Sequence, residues 1–257
     1  MWGYVAEKLS ISQLNKIGER LRKNLESEED LRLLDVFRSS FTPAYQEVFD
    51  HLSQLGLKPG GREGKTTLSI RAKLVRERTR LSRMQDIAGC RVEVDNLIEQ
   101  DRVVDELKAR WSGASIHDRR VKPSSGYRAV HLVVEVDGLL VEIQIRTSLQ
   151  HSWASATEKL SDVCDPEIKY GGGPEEIQKS LKEFSNVFAI IENVERNYAE
   201  VRAVIANSVM KGKKEVDVLD ENTEKLQADL KATHEGLNAA LKKFCERFTI
   251  ADREGSQ

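Results

Sequence analysis

Apolar positions recur at two different periods along this chain, and the changes of period divide it into elements. Leu9, Leu14, Ile17, Leu21 and Leu25 are spaced for one buried helical stripe, so residues 5–56 read as helical, with Pro43 opening a further helix that runs to about Leu55. Gly56 to Gly64, with Pro59 between glycines, breaks the pattern and predicts a loop. A basic helix over about Thr67–Arg83 follows. Then come a strand at Ala88–Val94, a helix at Leu97–Arg110 and a strand at roughly Ser115–Val121. Residues 126–147 switch to alternation around Asp137-Gly138, which predicts a hairpin with a two-residue turn. A helix near Ser148–Leu160 follows. Gly171-Gly172-Gly173 is a break, and Pro174 starts a long helix over 175–209, with a second over about 217–249.

The hairpin is the most informative segment. With the turn at 137–138, positions whose numbers sum to 275 face each other, so Val136 meets Leu139, Val134 meets Val141, Leu132 meets Ile143 and Val130 meets Ile145. That face is wholly aliphatic. The other carries His131 opposite Gln144, with Glu142, Arg146 and Glu135 nearby. Such a face fits plain solvation and fits a phosphorylated ligand about equally well.

The expected fold class is α+β: a small, mostly antiparallel mixed sheet flanked by helices, with a C-terminal helical pair. It divides as N-terminal helices at 1–56 packing on the core, a core at 57–165 and a helical extension at 174–250. The pair suits intrachain packing first, and oligomerisation or partner contact second.

Composition narrows the function. The net charge over 257 residues is −2, so no global field marks a general nucleic-acid binder. Charge is local: between Arg62 and Arg91 nine basic residues stand against three acidic ones, which is where an anionic ligand is drawn. Cys90, Cys164 and Cys245 are far apart and lack metal spacing, as in a reduced, cytoplasmic protein. No run of eighteen apolar residues and no signal-peptide core are present, so neither membrane nor export is expected.

Three segments offer chemistry. Ser69 and Lys73, four apart near a helix start, can hold a phosphate; a solvated basic helix has the same pattern. Asp86, just before a strand, suits Mg²⁺, although an Asp there is also an ordinary turn residue. Lys122-Pro-Ser-Ser-Gly-Tyr127 is a turn-rich loop whose tyrosine can stack on a base or simply pack.

Together, Asp86-Ile-Ala-Gly-x-Arg, Lys-Pro-x-x-Gly-Tyr-Arg-x-Val-His and Val-Glu-Ile-Gln-Ile-Arg-Thr, in that order, resemble the synthetase domain of the Rel/SpoT family over roughly residues 45–165. The resemblance implies an enzyme that moves pyrophosphate from ATP to the 3′-hydroxyl of GDP or GTP, making (p)ppGpp with Mg²⁺. It implies Asp86 and Glu142 as metal-binding and catalytic carboxylates, Glu142 binding the ion or activating the attacking hydroxyl. Arg62, Lys65, Ser69 and Lys73 would hold ATP. Lys122, Tyr127, His131, Gln144 and Arg146 would bind the acceptor, with Tyr127 stacked on guanine.

The sequence departs from the family pattern in three places. The family loop usually reads Lys-Pro-Asn-Gly-Tyr, one residue shorter than here. Glu63 occupies the usual place of an adenine-stacking arginine, so that role passes to the adjacent Arg62. No histidine-aspartate hydrolase domain is expected ahead of the core, since the first sixty residues hold only His51. The resemblance also extends to toxin-type members that pyrophosphorylate the 3′ end of tRNA. It therefore implies tRNA as an alternative acceptor, an antitoxin as a possible partner, and a homo-oligomer through the C-terminal helices. Arg76, Arg78, Arg80, Arg83, Arg119 and Arg120 are the candidates for RNA contact, or else a solvated face.

Overall fold

Side-chain caps set the first helices. In the computed structural model, which describes residues 9–209 and 217–254, Ser10 and Gln13 form a capping box at the start of α1 (Ile11–Arg22), and Ser27 with Asp30 forms another for α2 (Glu28–Ser39). Residues 5–8 of the expected N-terminal helix and 210–216 of the C-terminal extension lie outside the described residues. α3 (Thr42–Gln54) has proline in its first turn, as expected. α1 buries Leu14, Ile17 and Leu21, but the stripe stops there. The helix ends at Arg22, Asn24 takes a left-handed φ of 56°, and Leu25 is 67 % exposed.

The chain forms two compact units, each drawn from separated stretches. Of the described residues, the first takes 9–92, 104–117 and 131–145; the second takes 93–103, 118–130, 146–209 and 217–254. A five-stranded sheet, in the order β1-β2-β5-β4-β3, lies mainly in the first. It comprises β1 (Gly60–Arg62), β2 (Ala88–Val94), β3 (Ser115–Asp118), β4 (Val130–Val136) and β5 (Leu139–Thr147). The α+β expectation holds.

Three expected boundaries move. The glycine-rich 56–64 segment is not all loop, because Gly60, Gly61 and Arg62 pair antiparallel with Arg91, Cys90 and Gly89 as an edge strand. Glycine permits that approach, since a Cβ on Gly61 would lie 2.3 Å from the Gly89 carbonyl oxygen. The basic helix α4 spans Thr67–Glu77 only; it ends where Arg78 turns left-handed, and a 3₁₀ turn covers Leu81–Arg83. β3 stops at Asp118, whose carboxylate accepts the backbone N–H of Arg120 at 2.9 Å and turns the chain.

The hairpin turn has φ of 51° at Asp137 and 79° at Gly138, as a primed two-residue turn requires. Val130, Leu132, Val134, Val136, Val141, Ile143 and Ile145 are all buried, so the aliphatic face is core. α5 (Leu97–Arg110) matches its expected span.

In the second unit α6 (Ser148–Val163) carries a Thr147–Gln150 capping box. It packs against α7 (Glu175–Val209) and α8 (Asp217–Glu254) around Leu149, Trp153, Leu160, Leu181, Phe188 and Leu241. Intrachain packing thus accounts for the first part of α7 and the last part of α8.

Candidate active site

Lys65, Lys73 and Asp86 meet in the first unit. The Lys65 backbone N–H bonds to the Ile87 carbonyl at 2.7 Å, which fixes the segment between β1 and α4 beside Asp86. Its side chain is buried, and its Nζ donates to Asp86 Oδ2 at 2.6 Å. Lys73, on the second turn of α4, donates to Asp86 Oδ1 at 2.8 Å. Burial works against an ionised Asp86, but the two ammonium groups outweigh it and hold the carboxyl below its ordinary range. Burial pulls Lys65 below the usual lysine value, against the opposing pull of Asp86.

Glu142 stands on β5, the neighbour of β2. A Cβ on Gly89 would lie 3.2 Å from the Glu142 carbonyl oxygen, so the two strands run closely past each other here. Glu142 Oε1 pairs with His131 Nδ1 at 2.9 Å, and Gln144 Nε2 donates to Oε2 at 2.8 Å. An ionised carboxylate only accepts, so Nδ1 of His131 carries the proton. Burial tends to raise the Glu142 carboxyl and nearby Asp86 adds to that, yet the His131 and Gln144 bonds hold it below the ordinary glutamate value. Away from the turn the polar hairpin face is buried, with His131 8 % and Arg146 5 % exposed, whereas Glu135 near the turn is exposed.

Among the described residues no group of three metal-ligating side chains converges. Asp86 and Glu142 are nonetheless two partly buried carboxylates close enough to repel. That donor set suits Mg²⁺, which takes one or two carboxylates and completes its shell with water and substrate phosphates.

Other expected residues are more peripheral. Ser69 is half-buried, and its hydroxyl accepts from Thr66 Oγ1 at 2.9 Å, where Thr66 caps α4. Arg62 is exposed on the edge strand, while Glu63 accepts a hydrogen bond from Thr42.

In the second unit, the Tyr127 hydroxyl accepts from Arg146 Nε and Nη2 at 3.2 and 3.0 Å. The guanidinium lies 5.2 Å from the ring centroid, and Trp153 packs at 6.3 Å. Lys122 is exposed in the loop, where Ser125 and Gly126 take φ of 53° and 93°. The residue pattern leaves Tyr127 open to stacking on a base or to packing; here it packs against Trp153 and the buried cluster around it, and nothing in the pattern hints that Arg146 holds its hydroxyl. The pattern also missed Glu192 of α7, 4 % exposed, which accepts from Thr147 and from Gln150. Its position four residues after Phe188 put a charge in a buried register, and that was the available signal.

Residues 62–161 match the family model described as a region found in RelA / SpoT proteins. Over 135 residues the chain is 30 % identical to GTP pyrophosphokinase YjbM of Bacillus subtilis, covering 48 % of this chain and 59 % of that protein. Over 100 residues it is 42 % identical to the uncharacterized protein Rv1366 of Mycobacterium tuberculosis, covering 38 % and 37 % of the two. It thus spans little more than a third of the mycobacterial relative. Small alarmone synthetase 1 of Bacillus subtilis, solved bound to its product pppGpp, superposes with a TM-score of 0.54 at 26 % identity, over 68 % of this chain and 99 % of the other.

Proposed function

This chain carries a RelA/SpoT region on a small alarmone synthetase fold, and from that premise we propose that it is a pyrophosphokinase transferring the β,γ-pyrophosphate of ATP to the 3′-hydroxyl of GDP or GTP. The observation that carries the reading is the pair of restrained carboxylates, Asp86 between two lysines and Glu142 between His131 and Gln144.

The acceptor oxygen attacks the β-phosphorus, the bond from that phosphorus to the α–β bridging oxygen breaks, and AMP leaves with the bond's electron pair. Glu142, ionised at neutral pH, takes the hydroxyl proton, and His131 and Gln144 keep its oxygens aimed. Lys65 and Lys73 neutralise the triphosphate, Arg62 and Ser69 complete the ATP contacts, and Tyr127 with Arg146, Gln144 and Lys122 holds the acceptor. Mg²⁺, held by Asp86 and Glu142, would supply charge neutralisation at the transferring phosphates. The apolar residues Val187, Ile190, Val194, Val201 and Val204, exposed along α7, support self-association there.

A second reading takes the 3′ end of tRNA as acceptor. It is favoured by the longer loop before Tyr127, with Ser125 in a left-handed conformation. Incubation with ATP, Mg²⁺ and GDP should yield AMP and guanosine 3′-diphosphate 5′-diphosphate in equal amounts, and chelation of the metal should stop both. AMP release without that product, or transfer that survives chelation, overturns the reading.

A further inference from the structure

Behind the Lys122–Arg128 loop stands α7. Ser185, 2 % exposed, donates its hydroxyl to the Gly126 carbonyl at 2.6 Å and accepts from Arg128 Nε at 3.1 Å. Arg128 donates Nη1 to the Arg120 carbonyl at 2.6 Å, so one guanidinium ties both limbs of the loop to one helix. Gly126 has no room to move inward: a Cβ there would lie 2.8 Å from the Trp153 ring and 3.4 Å from Ser185. Ser125 is closely approached as well: a Cβ on Gly171 would lie 2.1 Å from its hydroxyl. Two turns beyond Ser185, Glu192 grips Thr147 and Gln150, next to Arg146.

We propose that Ser185 and Arg128 are positioning residues: α7 forms the rear wall of the acceptor loop and sets Tyr127 and Arg146 before the acceptor arrives. This rests on the acceptor role proposed above for Tyr127. A loop of Ser, Ser and Gly with two left-handed residues has much conformational freedom to lose. Fixing it in the free protein lowers the cost of binding at this half of the site alone. Neither Ser185 nor Arg128 touches substrate in this account, so they act through geometry.

The test uses the full chain carrying Ser185→Ala, with Arg128→Gln as a second variant should the first fail to fold. Backbone hydrogen exchange over residues 122–128 is read alongside steady-state kinetics. We expect faster exchange in that segment, a KM for GDP raised about five- to twentyfold, and an unchanged KM for ATP. Unchanged exchange overturns the clamp whatever the kinetics. Faster exchange with both KM values rising together overturns the assignment to the acceptor. A wild-type chain that transfers nothing to GDP or GTP overturns the functional reading itself, and with it the acceptor role claimed here.

Discussion

Local electrostatics in the first unit converge on Asp86. Its two ammonium partners at 2.6 and 2.8 Å are in direct contact, whereas Glu142 acts on it only as a nearby like charge, so attraction wins. Asp86→Asn removes the carboxylate between Lys65 and Lys73, leaving Lys73 only Glu77 at 3.9 Å, and should cost about 3 kcal/mol by urea denaturation. The sign with pH follows from the lowered carboxyl. The unfolded chain binds more protons near pH 4, so this stability is complete above that region and fades as pH falls through the folded value. In Asp86→Asn, stability measured at stepped pH should lose that part of its acid dependence. Glu142→Gln should keep the fold and lower the transfer rate by at least about a hundredfold, if Glu142 is the proton acceptor proposed above. Near-wild-type activity in that variant would remove Glu142 from the mechanism. The Glu142–His131 proximity was legible from strand alternation alone. The Lys65–Asp86 contact was not, because it depends on how α4 and the segment before β2 come together.

At the scale of elements, the hairpin, α5 and the long helices were readable because turn chemistry and apolar period agreed in each. β1 was hidden because its residues have no strand propensity. Gly60 and Gly61 pair because they are small, and only the partner strand shows that use. The end of α4 was hidden for the opposite reason: Arg78 turns left-handed without the glycine or proline that usually marks a stop. Gly61→Ala, by driving a Cβ onto the Gly89 carbonyl, should unpair β1, carry Arg62 away from its place and destabilise by about 2 kcal/mol. Hydrogen exchange at residues 60–62 reports the unpairing. If protection there is retained, the close approach is not what holds the strand.

Across the whole molecule, the C-terminal helices read easily as elements, but their use did not, since an apolar period says nothing about which neighbour covers it. In the second unit His234 of α8 pairs with Glu195 of α7 at 2.7 Å, with Glu192 also acting on it. The Glu195 carboxylate beside it raises the histidine above its ordinary value despite burial. The charged pair therefore stabilises at pH below the ordinary histidine value, and that contribution is lost as pH rises through the raised one. Thermal unfolding of the full chain should show a loss of about 1 kcal/mol across that window, absent in His234→Gln. An identical pH profile in the variant would assign the dependence elsewhere.

In the proposed function, restrained carboxylates and two lysines beside them move a pyrophosphoryl group onto a guanine nucleotide. Its most direct test offers ATP labelled at the β-phosphate to the chain with Mg²⁺ and, separately, GDP, GTP and bulk tRNA. Label should appear on GDP or GTP and be lost in Glu142→Gln. Label on tRNA alone, or on no acceptor, would contradict that function.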